Sequence, residues 1–400
     1  MLRHFNYLLH YSRSWKRASF SELSELYTST TIKTLALSVV NVFVPVYLYK
    51  LGFSFSQIAL YHLIHYAVRA AEAVVVGKLV GRFGPKHIMV VSYALLMVKM
   101  ILLVTLPTYG WPLWLIATID GSSYVMYFIP FHTSFSKLKD PKQEGRQISI
   151  VYRWAQIAAA AGPFLGGFVA NRYGINYALW LAFVLIVLSV IPLAMSAEPV
   201  RKHQKVHFRG MPWRDIKWDM VAAAGWSFDI VTQGVLWPLF IAVFVFQKDV
   251  YLSVGLVTSI GLLVSIAVAK AYGQIIDNRK GRKLLRYSTI GEAAMHAMRP
   301  LVNAASGAYL FNLAYSPLEV GVSLTFTKGI FDAASSYEGF RIAYLTIMEL
   351  VSYVQKSLIW LVFYLLTSAG YGKASFQIIF LLAVVGALVV SKERFKALDA

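Results

Sequence analysis

Four polar or acidic side chains interrupt long apolar runs of this chain: Asn41, Asp120, Asp229 and Glu319. An ionisable group in hydrocarbon costs a few kcal/mol or more, so each marks a candidate site of binding or coupling. Three partly desolvated carboxylates could take up protons and release them in exchange for a cationic or polar solute. They could equally be held in ion pairs by embedded bases such as Arg69, Arg153 or Lys356, with only packing to show for it. Arg153 and Lys356 have no acid within a helical turn, which suits them to an anionic solute group or to a pair across a cavity. Glu349 shares the helix face of Lys356 and is a candidate partner for it. Glu72 follows Arg69 by three residues, a spacing that favours a pair within one helix. Glu292, His296 and Arg299 fall at i, i+4 and i+7 and line one face. A histidine between an acid and a base could relay protons, or the three could form a satisfied structural network. Tyr124, Tyr127, Trp226 and Trp237 could supply aromatic walls.

The elements that must carry these groups follow from composition. Of 400 residues, 58% are hydrophobic and only 14% charged, whereas a soluble domain carries about a quarter charged residues. A helix needs about 20 residues to cross the hydrocarbon layer, and barrel strands would alternate in short segments instead. The chain therefore reads as an all-α polytopic membrane protein of twelve spans, at about 30–50, 55–76, 88–107, 111–136, 146–171 and 175–195, then 219–246, 251–272, 284–303, 307–331, 341–367 and 374–391. Arg299-Pro300 is the only strong punctuation between the ninth and tenth. Residues 1–29 form an N-terminal segment, with Leu2, Phe5, Leu8 and Leu9 on one face as an interfacial helix. Six-helix bundles at 30–195 and 219–391 flank a basic linker at 196–218, and 392–400 form a tail.

The net charge of +19 is distributed by topology. Only Lys50, Arg172, Lys248 and Lys373 fall in loops on one side, which places both termini in the cytoplasm and points to a plasma (inner) membrane rather than to nucleic acid. The chain has no cysteine, which excludes disulfides, thiolate metal sites and cysteine nucleophiles.

A short hydrophilic segment occurs twice. Gly77-Lys78-Leu79-Val80-Gly81-Arg82-Phe83-Gly84-Pro85-Lys86 returns in outline as Gly273-Gln274-Ile275-Ile276-Asp277-Asn278-Arg279-Lys280-Gly281-Arg282-Lys283, each expected as a Gly-rich turn between spans. Glu144-Gly145-Arg146 and Glu338-Gly339-Phe340-Arg341 repeat at nearly the same offset. With these landmarks the chain resembles the major facilitator superfamily (MFS), whose members carry six plus six helices, a basic linker and a Gly-x-x-x-Asp-x-x-Gly-Arg-Lys-type loop after the second span. The resemblance covers about 30 to 395. It implies alternating access around a central cavity lined by the first, fourth, seventh and tenth helices, which would put one of Asn41, Asp120, Asp229 and Glu319 on each. It also assigns the repeated loops to conformational control. Gly77, Arg82, Gly84 and Lys86 match in the first copy, but Gly81 stands where the family has its acid. The second copy keeps Asp277, Gly281, Arg282 and Lys283, so an ionic latch is expected to rest on the second half. Gly162-Pro163-Phe164-Leu165-Gly166-Gly167 is similar to the Gly-Pro-x-x-Gly-Gly element of drug and metabolite antiporters, and physically marks a bend at a close helix contact. The arginine such antiporters carry in the fourth span is absent, and Asp120-Gly121 occupies that region.

The leading reading is a secondary transporter that moves a small solute by alternating access, with proton-coupled export of cationic or amphipathic compounds first. Uptake or facilitated movement of a sugar or organic anion, contacted by Arg153 and Lys356, is second. No Gly-x-x-x-x-Gly-Lys-[Ser/Thr] loop is present for a nucleotide-driven pump. No histidine pattern of an embedded enzyme occurs, so the chain reads as a non-enzyme without cofactor or metal. A transport-inactive receptor or scaffold is the alternative from another class. The expected partners are the solute, protons and membrane lipid, with a monomeric chain.

Overall fold

The computed structural model describes residues 25–138, 144–195, 208–337, 339–395 and 398, with side chains omitted for 134–153 and 194–195. The expected interfacial helix at Leu2, Phe5, Leu8 and Leu9, much of the linker, and Glu338 lie outside them.

Among the described residues the chain is helical throughout, in twelve long helices. The first group is α1 (Glu25–Lys50), α2 (Phe55–Phe83), α3 (Pro85–Tyr109), α4 (Leu113–Leu138), α5 (Glu144–Tyr173) and α6 (Ile175–Met195). The second is α7 (Trp213–Phe244), α8 (Val250–Ile275), α9 (Gly281–Met298), α10 (Ala305–Ser336), α11 (Arg341–Ser368) and α12 (Lys373–Val390). Seven helical stretches among the described residues are long and apolar enough to cross a membrane; one of them, Val250–Leu301, folds as both α8 and α9. The helices outside those stretches, α2, α4, α5 and α10, include those that bury Arg69, Asp120 and Asn312. Short turns between neighbours make successive helices antiparallel. One end of the molecule therefore carries the starts of α1 and α7, and is called the terminal end below.

Within each group the helices pack on one another, and the groups meet along two seams, α2 on α11 and α5 on α8. Small residues set both. A Cβ added to Gly77 would stand 3.0 Å from Thr346 Oγ1 on α11. At the second seam a Cβ on Gly167 would stand 2.5 Å from the Tyr251 carbonyl, and one on Gly255 would meet the carbonyl of Pro163. Gly162 and Gly166 let α5 close on Ser38 and Val39 of α1 in the same way. The Gly-Pro-x-x-Gly-Gly element is thus where three helices from both groups approach backbone to backbone.

The first repeated segment differs from the expected turn. Residues Gly77 to Phe83 continue α2, and the chain turns only at Gly84, whose φ of 88° favours glycine. Helical hydrogen bonding and the Thr346 contact outweigh the cost of glycine in a helix, about 1 kcal/mol. In the second copy the turn falls on Asn278 and Arg279, the latter at φ 60°, so Gly281 simply opens α9. The ninth and tenth helices are separated by the short turn Arg299–Leu301, at the Arg-Pro punctuation.

Away from the terminal end the two groups are closed by aromatic rings. Phe55 of α2 packs on Phe244 of α7 at 6.0 Å and on Phe376 of α12 at 5.2 Å between ring centroids. Phe43 meets Tyr251 edge-on at 5.7 Å, and Asn171 donates to Asp249 at 2.9 Å.

Gly167→Val will force α5 from α8. Overpacking of this kind costs about 1–3 kcal/mol, so the purified variant should unfold at a lower temperature in detergent, while Gly273→Ala, in open space on α8 at an ordinary helical φ, should not fall. Equal melting temperatures for Gly167→Val and the parent would contradict the contact.

Candidate functional site

A cavity of about 550 Å³ lies between the two groups, walled by α1, α4, α5, α7, α8 and α10. Prolines shape three of its walls. Pro45, Pro163 and Pro238 have no N–H, so the carbonyls four residues earlier, on Asn41, Ala159 and Gly234, lose their ordinary helical donor. All three of those residues line the cavity. At the first, α1 loosens into a turn at residues 41–43 and Asn41 is exposed. At the third, Thr232–Leu236 widens into a π turn, a bulge that inserts one residue and leaves Gln233 and Gly234 on the cavity wall. Aromatic and amide groups complete it: Trp237 Nε1 donates to Asn312 Oδ1 at 3.1 Å, and Asn312 Nδ2 donates to the Val257 carbonyl at 2.8 Å.

Of the polar groups expected on the four cavity helices, Asn41 and Glu319 line this cavity and the other two do not. Asp120 is buried behind the wall. Gly121 makes that possible, because a side chain there would meet the His65 carbonyl at 2.6 Å and hold α4 away from α2. With the helices in contact, the Asp120 carboxylate takes Lys99 Nζ at 2.7 Å, Tyr61 hydroxyl at 2.9 Å and His65 Nδ1 at 3.1 Å. Arg69 contacts His65 and stacks 3.4 Å from the centre of the Tyr124 ring. Glu72, expected to pair with Arg69, instead accepts from Ser122 at 2.8 Å.

Asp229 is buried in the second group. Tyr315 donates to it, and His296 Nε2 stands 3.5 Å away. Glu292, His296 and Arg299 share a face as their spacing requires, and all are fully buried. Arg299 donates to Gln233 Oε1 at 2.7 Å, and its guanidinium lies 4.8 Å from the Tyr315 ring. Neither oxygen of Glu292 has a hydrogen-bond partner among the described residues. Gln233 and Glu319 are the two residues that reach from this cluster to the cavity. Glu319 is half-buried, and among the described residues no hydrogen bond or ion pair engages it.

Lys356 lines a second cavity of about 250 Å³ together with Glu349, next to Tyr124 and Phe128, which also face the first. Glu349 stands 3.6 Å from His132 of α4, across the two groups. The helix α5 carries Arg153, but its side chain is outside the described residues. Of the repeated segments, Arg82 is exposed and Arg282 holds Glu393 at 3.1 Å and the Phe395 carbonyl at 2.9 Å. Asp277 joins no ion pair among the described residues, and Gly281 sits against Leu398. The ionic contact of the second half thus ties α9 to the chain beyond α12. Lys86 and Lys283 flank these turns at the starts of α3 and α9.

Three important residues escaped the sequence: Lys33, Lys99 and Gln233. Each lies inside an expected span, which is the signal that could have found the lysines.

Two helical groups wrapped around a solute-sized, largely apolar cavity that carries a few polar groups, inside an apolar shell, have the form of a membrane transporter. The chain belongs to the Major Facilitator Superfamily, whose profile matches residues 26–338. Two relatives, the multi-drug resistance efflux pumps PmrA of Streptococcus pneumoniae serotype 4 (strain ATCC BAA-334 / TIGR4) and of strain ATCC BAA-255 / R6, are each 24% identical over 180 residues, 43% of this chain. The matched stretch spans 44% of their length. A crystal structure of the nucleoside transporter NupG superposes with a TM-score of 0.68, covering 92% of this chain and 98% of that one at 9% identity, a likeness of fold.

Asp120→Asn will weaken the bond to Lys99 and strand a buried cation, at about 3–5 kcal/mol. Glu319→Gln breaks no hydrogen bond or close ion pair among the described residues and removes only a longer-range attraction to Arg299, so it should change stability by less than about 1 kcal/mol. Thermal unfolding of the two purified variants checks this, and equal losses would contradict the assignment of one as paired and the other as free.

Proposed function

We propose that this chain is a secondary transporter that exchanges protons for a cationic or amphipathic solute and exports it by alternating access. The observation that carries the reading is Glu319. An acid on the cavity wall with no partner is available in turn to a proton and to a cationic solute, which is the exclusive occupancy that antiport requires. The carbonyls of Asn41, Ala159 and Gly234, short of helical donors, add acceptors suited to a cation or an ammonium group. Behind Glu319, the cluster of Asp229, Glu292, His296 and Arg299 could store or pass protons without meeting the solute, with Gln233 as its link to the cavity. Export agrees with the naming of the PmrA relatives as efflux pumps and with the antiporter-like element at Gly162 and Pro163. Asp120 is placed as a scaffold acid in this reading. The distribution of lysine and arginine supports a plasma (inner) membrane protein with both termini in the cytoplasm.

A second reading, facilitated movement of an organic anion, draws on Lys356 in the smaller cavity. One experiment separates the two. In proteoliposomes holding a pH dye, a panel of organic cations, sugars and organic acids is added outside. A cation should drive proton movement in the parent, and Glu319→Gln should abolish that movement while leaving solute exchange at equilibrium. Solute accumulation by Glu319→Gln against a gradient would overturn the coupling role.

A further inference from the structure

Lys33 is the cavity's other unmatched charge. It lies on α1, 4% exposed, and lines the same cavity as Glu319. Its Nζ stands 2.8 Å from the centre of the Tyr127 ring, with Phe128 at 5.6 Å. Among the described residues it donates no hydrogen bond and has no acidic partner. A ring face attracts a cation but accepts no ordinary hydrogen bond, so the three ammonium donors can find partners only in the cavity they open onto. The charged side chains that act on it most strongly are Arg69 and Lys99, both cations. The local field therefore favours an incoming anion, and Tyr127, fixed by its hydrogen bond to Thr30 at 3.0 Å, holds the ammonium in place.

Lys33 belongs to the first helical group and Glu319 to the second. On α1, Lys33 lies eight residues before Asn41, about 12 Å along the axis, toward the terminal end. The two unmatched charges thus come from opposite walls of one aromatic-lined space.

We propose that the solute is zwitterionic: a carboxylate or similar anion on Lys33 and a cationic group, separated from it by an apolar body, toward Glu319. This rests on the proposed role of Glu319 and narrows its substrate class from cationic amphipaths in general to those that carry an anionic group as well. Lys33 acts in it as a specificity-determining residue, since a solute without the anion leaves its donors unpaired.

The test uses rhodamine B, a zwitterion, and its ethyl ester, a cation on the same scaffold, in equilibrium dialysis against the purified full chain in detergent with the micelle background subtracted. The parent should bind the zwitterion about tenfold more tightly than the ester. Lys33→Met should erase that preference by weakening the zwitterion alone, and Lys33→Arg should restore it. Removing an unmatched buried cation should also leave the melting temperature of Lys33→Met unchanged or raised, which keeps the binding result readable. Equal binding of the two dyes by the parent, equal weakening of both by Lys33→Met, or no binding of either would overturn the proposal. Glu319→Gln reports separately on the reading beneath it. Weakened binding of both dyes supports the cation site, whereas unaltered binding in Glu319→Gln beside a Lys33 effect would remove Glu319 from the solute site and leave the anion site standing.

Discussion

Hydrocarbon offers no water to an ionised side chain, and most embedded charges described in this protein answer to that constraint, the fully buried and unpartnered Glu292 excepted. Asp120 satisfies it with Lys99, Tyr61 and His65. Asp229 is met by Tyr315 and His296. These groups are expensive to strand and poorly placed to meet a solute. Lys33 and Glu319 make no hydrogen bond or close ion pair among the described residues, and they share a cavity large enough for a solute to supply one. Partnership together with access to the cavity therefore separates scaffold from site more sharply than residue type or depth.

Backbone chemistry supplies the rest of that space. Glycines at 77, 167 and 255 let the two groups touch along α2 and α11 and along α5 and α8. Prolines at 45, 163 and 238 do the opposite work, freeing carbonyls on the wall between the seams. Aromatic contacts without hydrogen bonds, such as Phe55 on Phe244 and Phe376, close the end opposite the starts of α1 and α7.

Much of the fold was legible in the sequence because apolar runs of membrane length leave few alternatives to helices, and the repeated glycine segment and the Gly-Pro-x-x-Gly-Gly element mark real turns and close approaches. The location of the first turn at Gly84, after the helix runs on through Gly77 and Gly81, was not, because local sequence does not separate a glycine kept in a helix for close packing, as Gly77 is against Thr346, from one that makes a turn. Site residues were legible as a class and not as individuals. The rule that embedded charges matter found Asp120 and Glu319 equally, yet one turns into its bundle and the other faces the cavity, a difference of helix rotation at about 100° per residue. Lys99, the base that pairs Asp120, sits on a helix outside the expected cavity set, and no local spacing connects the two.

The central claim is that water and solute reach the wall carrying Asn41 and Gln233 but not the packed interior of the first group. The absence of native cysteine allows a direct reading. Single cysteines at Asn41, Gln233 and the fully buried Ser123 would be treated, in membranes, with a charged thiosulfonate. Modification at 41 and 233, slowed by a transported solute, with none at 123, is the predicted result. Equal reactivity at all three positions, or protection at none, would contradict the account.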